Sequence, residues 1–82
     1  MYITYILYSV VLDKFYTGQT IDLVRRLEEH NRGKTSFMAS GVPWILVFSK
    51  EFPLRSEALK LEKFIKKRGA SIFLNDFKKQ IG

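Results

Sequence analysis

An α+β domain with the element order β-β-α-β-α-α is the fold class this sequence predicts. Three observations carry that prediction. Residues 2–12 and 44–52 are dense in β-branched and aromatic side chains, as strands are. Residues 21–32 and 56–68 repeat their apolar positions at helical spacing. Gly33 and Gly69 stand just past those two stretches, where a helix often ends on a left-handed residue.

Taken in order, residues 2–12 (YITYILYSVVL) form the first strand, and Asp13-Lys14 makes a hairpin tip. Phe15-Tyr16-Thr17 begins the return strand, which Gly18 is expected to stop. Thr20 is the expected N-cap of a helix from Ile21 to Arg32, with Asp22 in the first turn, where the helix dipole favours a carboxylate. Residues 34–43 (KTSFMASGVP) are small and polar and read as a loop. Trp44–Phe52 is the third strand; its continuously apolar first half predicts a strand covered on both faces, and Pro53 ends it. A helix over Ser56–Arg68 follows, then a short helix over residues 71–80 that docks through Ile72, Phe73 and Phe77. With no repeat or composition break, residues 1–82 read as one domain.

The 82-residue chain suffices for one small core, and a hydrophobic fraction of 46% excludes disorder as the default. No apolar run approaches the roughly 20 residues that span a bilayer, and the N-terminus lacks the features of a secretory signal. The absence of cysteine removes disulfides and thiolate metal sites and fits a cytoplasmic location. A net charge of +6 favours polyanions such as DNA, RNA or anionic lipid; a basic protein with no such partner is the alternative.

The helix faces hold the anomalies. Leu23, Val24 and Leu27 span about a third of the first helix, with Arg25, Glu28, Glu29 and Arg32 opposite. Arg26 and His30, four apart, stack at the edge of that apolar stripe. On the second helix Ala58, Leu59, Leu61, Phe64 and Ile65 form an apolar arc, and Lys60, Lys63 and Lys67 form a basic stripe suited to phosphate contacts. Glu62 falls inside the arc, where a carboxylate pairs with a base, accepts a hydrogen bond or holds a metal. Each feature has an ordinary alternative. Arg26 and Glu62 form a structural ion pair, His30 favours its helix dipole, Tyr5 and Tyr16 are core aromatics, and the lysines are a solvated face. Their coincidence points elsewhere. Tyr5 lies eleven positions before Tyr16 and Arg26 ten after it, which places two phenols on adjacent strands and a guanidinium on the next helix. Phosphodiester cleavage needs such a proton acceptor and fixed positive charge.

Ile3-Thr4-Tyr5, Tyr16-Thr17-Gly18, Asp22-Leu23-Val24-Arg25-Arg26-Leu27 and Ser56-Glu57-Ala58-Leu59-Lys60-Leu61-Glu62 together resemble the GIY-YIG nuclease superfamily, over a span from Tyr5 to at least Glu62. The resemblance implies a three-stranded antiparallel sheet flanked by helices, in a small stand-alone protein of the bacterial type. It implies Tyr5 as general base, Tyr16 sharing or orienting that proton, and Arg26 binding the scissile phosphate. It places His30 where the family has tyrosine or histidine, and Glu62 as the ligand of one divalent ion, Mg²⁺ or Mn²⁺. Gly18 leaves room for close backbone approach. Asn75 is a weak match to a late family asparagine, one residue long in its offset from Glu62. Two departures stand out: Ile3-Thr4 replaces a small hydrophobic pattern led by glycine, and Gln19 stands where some members carry lysine. The implied function is a metal-dependent DNA endonuclease, structure-specific and linked to repair or recombination, with a protein partner or a second copy as possible company and RNA as an alternative substrate. The competing reading is a nucleic-acid-binding module of the same fold that cleaves little alone. A free phenol ionises near pH 10, so Arg26 and the metal are expected to lower it, and activity to rise toward alkaline pH.

Overall fold

The computed structural model describes residues 1–81, with side chains through residue 80. Strands β1 (Tyr2–Ser9), β2 (Lys14–Thr20) and β3 (Trp44–Phe52) form one antiparallel sheet in the spatial order β2-β1-β3. Helices α1 (Leu23–Asn31) and α2 (Ser36–Ser40) lie between β2 and β3 in sequence, and α3 (Arg55–Arg68) and α4 (Ala70–Ile81) follow β3. The α+β class and the antiparallel sheet agree with expectation. The one added element is α2, within the stretch read as a loop. Its five residues are too few to show a helical period, and Thr35 caps it by accepting from Met38 N at 3.2 Å.

Central position goes to β1, whose residues Thr4–Leu7 are buried without a break. The expectation that β3 is covered on both faces is corrected: β3 is an edge strand with Ile45, Leu46 and Val47 exposed. An apolar run marks a strand but does not say which strand takes the middle of a sheet. The first strand also ends at Ser9, because Ser9 Oγ accepts from Leu12 N at 3.1 Å and turns the chain. Asp13 closes the turn with a positive φ of 52° while Tyr8 Oη donates to its carboxylate at 2.6 Å. Gly18 does not stop β2; it pairs with Tyr5, and the strand runs on to Thr20. The N-cap of α1 is Asp22 rather than Thr20. Thr20 Oγ1 accepts from Asp22 N at 3.1 Å, and the Asp22 carboxylate accepts from Arg25 N at 3.1 Å.

Alternation along β1 gives the sheet two unlike faces. Tyr5 and Leu7 point toward α1 and pack with Trp44, Tyr16, Leu23 and Leu27. Thr4 and Ile6 point toward α3, where Thr4 Oγ1 donates to Ala58 O at 2.7 Å and Ala58 and Ile65 are fully buried. Helix α4 docks on this second face through Phe73 and Phe77, whose rings meet Phe48 edge-on at 5.1 and 5.4 Å. Three expected packing residues face outward instead: Val24, Phe64 and Ile72 are all more than half exposed. On α1 the seam is Leu23, Leu27 and His30, an i, i+4, i+7 row that leaves Val24 on the solvent side.

Candidate active site

The β1–β2 register sets the site. Tyr5 lies opposite Gly18 and Leu7 opposite Tyr16, so both tyrosines rise from one face, with ring centroids 6.3 Å apart and nearly parallel at 26°. A Cβ on Gly18 would sit 2.6 Å from Tyr5 Oη, 2.9 Å from its Cζ and 3.3 Å from Tyr16 Cε1. The Tyr5 phenol therefore lies across β2 directly over Gly18. This glycine is required for close approach, and the approaching group is the Tyr5 ring. Of the four tyrosines, Tyr8 is the one that donates its hydroxyl to a protein group among the described residues.

His30 is fully buried and meets Tyr16 edge-on at 4.5 Å, Trp44 at 6.1 Å and Tyr5 at 6.4 Å. Its Nδ1 lies 3.0 Å from Arg26 O, and a carbonyl only accepts, so Nδ1 carries a proton. In the neutral ring Nε2 is then a bare acceptor, and it is buried without a protein partner. An orphaned buried acceptor costs about 1–3 kcal/mol unless another donor reaches it. His30 thus belongs to the ring cluster and does more than complement the end of its helix. Trp44 is the member that sequence reasoning missed. Asn31 clamps its backbone from both sides, accepting from Trp44 N at 2.6 Å and donating to Trp44 O at 3.2 Å, while its indole donates to Met38 O at 2.9 Å. The one signal for it was a lone tryptophan at the start of a strand.

Arg26 and Glu62 approach Tyr5 from opposite layers. Arg26 Nε lies 3.8 Å from Glu29 Oε1, with its side chain 41% exposed. Lys34 Nζ donates to Glu29 at 2.7 Å and holds that carboxyl below the usual carboxylate range. Glu62 accepts from Lys66 Nζ at 2.7 Å and is only 18% exposed. The structural ion pair between Arg26 and Glu62 that the sequence allowed is not formed; each has a neighbour on its own helix. Both nonetheless act on the Tyr5 phenol. Burial pushes its pKa well above the ordinary value, Tyr16 adds to this, Arg26 pulls it down, and Glu62 and Glu29 push it up again. The expected lowering by Arg26 is present, but burial outweighs it.

Two openings border the ring cluster. One cleft of about 390 Å³ is lined by Arg25, Arg26, Glu29, His30 and Lys34. The other runs past Tyr16, Thr17 and Lys66 to the start of α4. The structure therefore gathers Tyr5, Tyr16, Gly18, Arg26 and His30, with Glu62 in electrostatic reach. Lys60, Lys63 and Lys67 are exposed on α3, and Asn75 is exposed on α4; among the described residues none of the four is hydrogen-bonded to the cluster. No group of three or more histidine, aspartate or glutamate side chains is assembled to hold a metal among the described residues. The donor set is one carboxylate, which fits an ion such as Mg²⁺ or Mn²⁺ that takes one or two carboxylates and fills its shell with water and substrate oxygens.

The chain is similar to several UPF0213 proteins. A UPF0213 protein of Enterococcus faecalis is 43% identical over 56 residues, covering 65% of this chain and 64% of the relative. One from Streptococcus agalactiae is 37% identical over 54 residues, covering 65% of this chain and 61% of the relative. The chain thus spans less than two thirds of either. The UPF0213 protein YsiG of Lactococcus lactis is 35% identical over 86 residues, covering 96% of this chain and 81% of its own length. No solved structure matches at a significant level. Among the described residues no helix is long and apolar enough to cross a membrane. The family model of the GIY-YIG catalytic domain matches residues 1–77, almost the whole chain, and with both tyrosines, the glycine, the arginine and the glutamate disposed as above, the protein belongs to the GIY-YIG nuclease family.

Proposed function

We infer that this protein is a divalent-metal-dependent endonuclease that hydrolyses phosphodiester bonds in DNA. The observation that carries the reading is the Tyr5 phenol. It is 1% exposed, lies over Gly18, stacks beside Tyr16, and stands in the opposed fields of Arg26 and Glu62. Few packing needs call for that set. Glu62 would hold the Mg²⁺ or Mn²⁺, which would supply positive charge at the leaving oxygen. Arg26 uses the part of its guanidinium not turned to Glu29 to grip a non-bridging oxygen of the scissile phosphate. Tyr5 and Tyr16 orient the attacking water and accept its proton, with His30 as a buried acceptor beside both rings. The water oxygen bonds to phosphorus, the phosphorus–oxygen ester bond breaks, and the leaving oxygen takes up a proton.

The exposed lysines Lys60, Lys63 and Lys67 contribute phosphate contacts away from the reacting bond. So small a basic surface favours recognition of shape over sequence, and therefore branched or damaged DNA, in repair or recombination, alone or with a partner. A second reading, a DNA-binding module that cleaves little alone, draws on one observation: burial raises Tyr5, the opposite of what a resting base needs. Incubation with single-stranded, duplex and branched DNA in Mg²⁺ separates the two. Cleavage that disappears in Arg26→Ala and Glu62→Ala, with melting temperature and DNA binding retained, supports the nuclease. Salt-sensitive binding with no cleavage of any substrate supports the module.

A further inference from the structure

Lys66 lies one helical turn beyond Glu62. Its ammonium donates to Glu62 Oε2 at 2.7 Å, so the one carboxylate suited to a divalent ion is already neutralised by a residue of the chain. The same lysine is the charged residue in the lining of the groove that runs past Tyr16 and Thr17. Its neighbours on α3 do neither: Lys60, Lys63 and Lys67 are exposed and make no ion pair with Glu62. Lys66 thus sits between two charges it can serve, the Glu62 carboxylate on one side and a phosphate in the groove beside Tyr16 on the other.

We propose that Lys66 exchanges partners during binding: it holds Glu62 in the free protein and moves to a phosphate oxygen of the DNA when a divalent cation takes that carboxylate. The proposal rests on the reading of Glu62 as the metal ligand. Two consequences follow from charge balance. Lys66 competes with the cation, so removing it tightens metal binding. Lys66 also becomes available to DNA only when the cation is present.

The test measures Mn²⁺ binding, by paramagnetic resonance of the free ion, in the wild-type protein and in Lys66→Gln, Lys63→Gln and Glu62→Gln. Lys63→Gln removes the same charge from the same helix without touching Glu62. An exposed i, i+4 ion pair is weak, so Lys66→Gln is expected to bind Mn²⁺ about 2–5-fold tighter, with a smaller change in Lys63→Gln. Equal shifts in the two lysine variants, or weaker binding in Lys66→Gln, overturn the proposal. If Glu62→Gln leaves Mn²⁺ binding unchanged, the reading of Glu62 as ligand fails, and the exchange fails with it. The second arm measures duplex DNA affinity against salt in a Tyr5→Phe background, which blocks cleavage. Lys66→Gln should lower the salt slope by about one in Mn²⁺ and leave it unchanged in EDTA. The same loss in both conditions shows a lysine that contacts DNA permanently, and overturns the exchange.

Discussion

The two faces of the sheet are built from alternate residues of the same strand, yet they are different materials. Toward α1, β1 presents Tyr5 and Leu7 to Tyr16, His30 and Trp44, a cluster of rings with polar tips. Three polar groups in that cluster, the Tyr5 and Tyr16 hydroxyls and His30 Nε2, have no protein hydrogen-bond partner among the described residues. Toward α3, β1 presents Thr4 and Ile6 to Ala58 and Ile65; the strand's own hydroxyl there, Thr4 Oγ1, is satisfied at 2.7 Å by Ala58 O, while one carboxylate oxygen of Glu57 on α3 is buried without a partner. On that side the hydroxyl of the central strand is closed by backbone, because an unmade hydrogen bond in the interior is costly. A layer that leaves such bonds open beside a cleft is one in which a water or a substrate oxygen completes the set. The contrast separates a face built mainly of apolar contacts from the face on which the proposed chemistry rests.

Substitutions on the two faces should therefore fail in different ways, and the largest effect is expected at Tyr5. Tyr5→Phe removes a hydroxyl with no protein partner, so melting temperature should move little while cleavage falls about 10²-fold or more. The same variant checks the acid–base assignment. Because burial raises the Tyr5 pKa, the phenol is protonated at neutral pH, and the wild-type rate should climb about tenfold per pH unit into the alkaline range if this phenolate is the base. Tyr5→Phe should remove that slope. A wild-type profile that is flat from mildly acidic to alkaline pH counts against a tyrosine base.

The mirror experiment is Ile6→Ala on the other side of the same strand. It empties a fully buried site facing α3 and should cost about 2–4 kcal/mol in urea unfolding, with cleavage per folded molecule unchanged. If that variant instead keeps its stability and loses activity, the division between the faces is wrong. Gly18→Ala sharpens the comparison at the strand where the faces meet. The added methyl collides with the Tyr5 ring, so a stability loss of about 1–3 kcal/mol should accompany a loss of cleavage out of proportion to it. The smallest effect belongs to Thr4→Val, which deletes the hydrogen bond to Ala58 and should cost about 1 kcal/mol with no change in the pH profile.

Much of this division was legible in the chain. The alternation of β1, the Tyr5–Tyr16 spacing and the i, i+4 pair of Arg26 and His30 depend only on local periods, so the sequence places them reliably. Glu62 stood out because a carboxylate in an apolar arc is anomalous whatever surrounds it. The readings that changed all depended on neighbours distant in the chain. Val24 and Ile72 are as apolar as their buried neighbours, and only the tilt of each helix on the sheet decides which rotate outward. Trp44 gave little sign of its role beyond being a lone tryptophan, because Asn31, which clamps it, is thirteen residues away on another element.

The sequence by itself determined the three strands, the three longer helices and their order, the family and the residue types of the proposed chemistry, because those follow from local periodicity and short motifs. The tertiary structure decided three things. It made β1 rather than β3 the central strand, because a strand's place in a sheet is set by which partners it finds on both sides. It put the Tyr5 phenol over Gly18, because only the antiparallel register brings those two residues opposite each other. It also paired Glu62 with Lys66 and not with Arg26, because α1 and α3 pack on opposite faces of the sheet, and an i, i+4 neighbour on the same helix is already within reach.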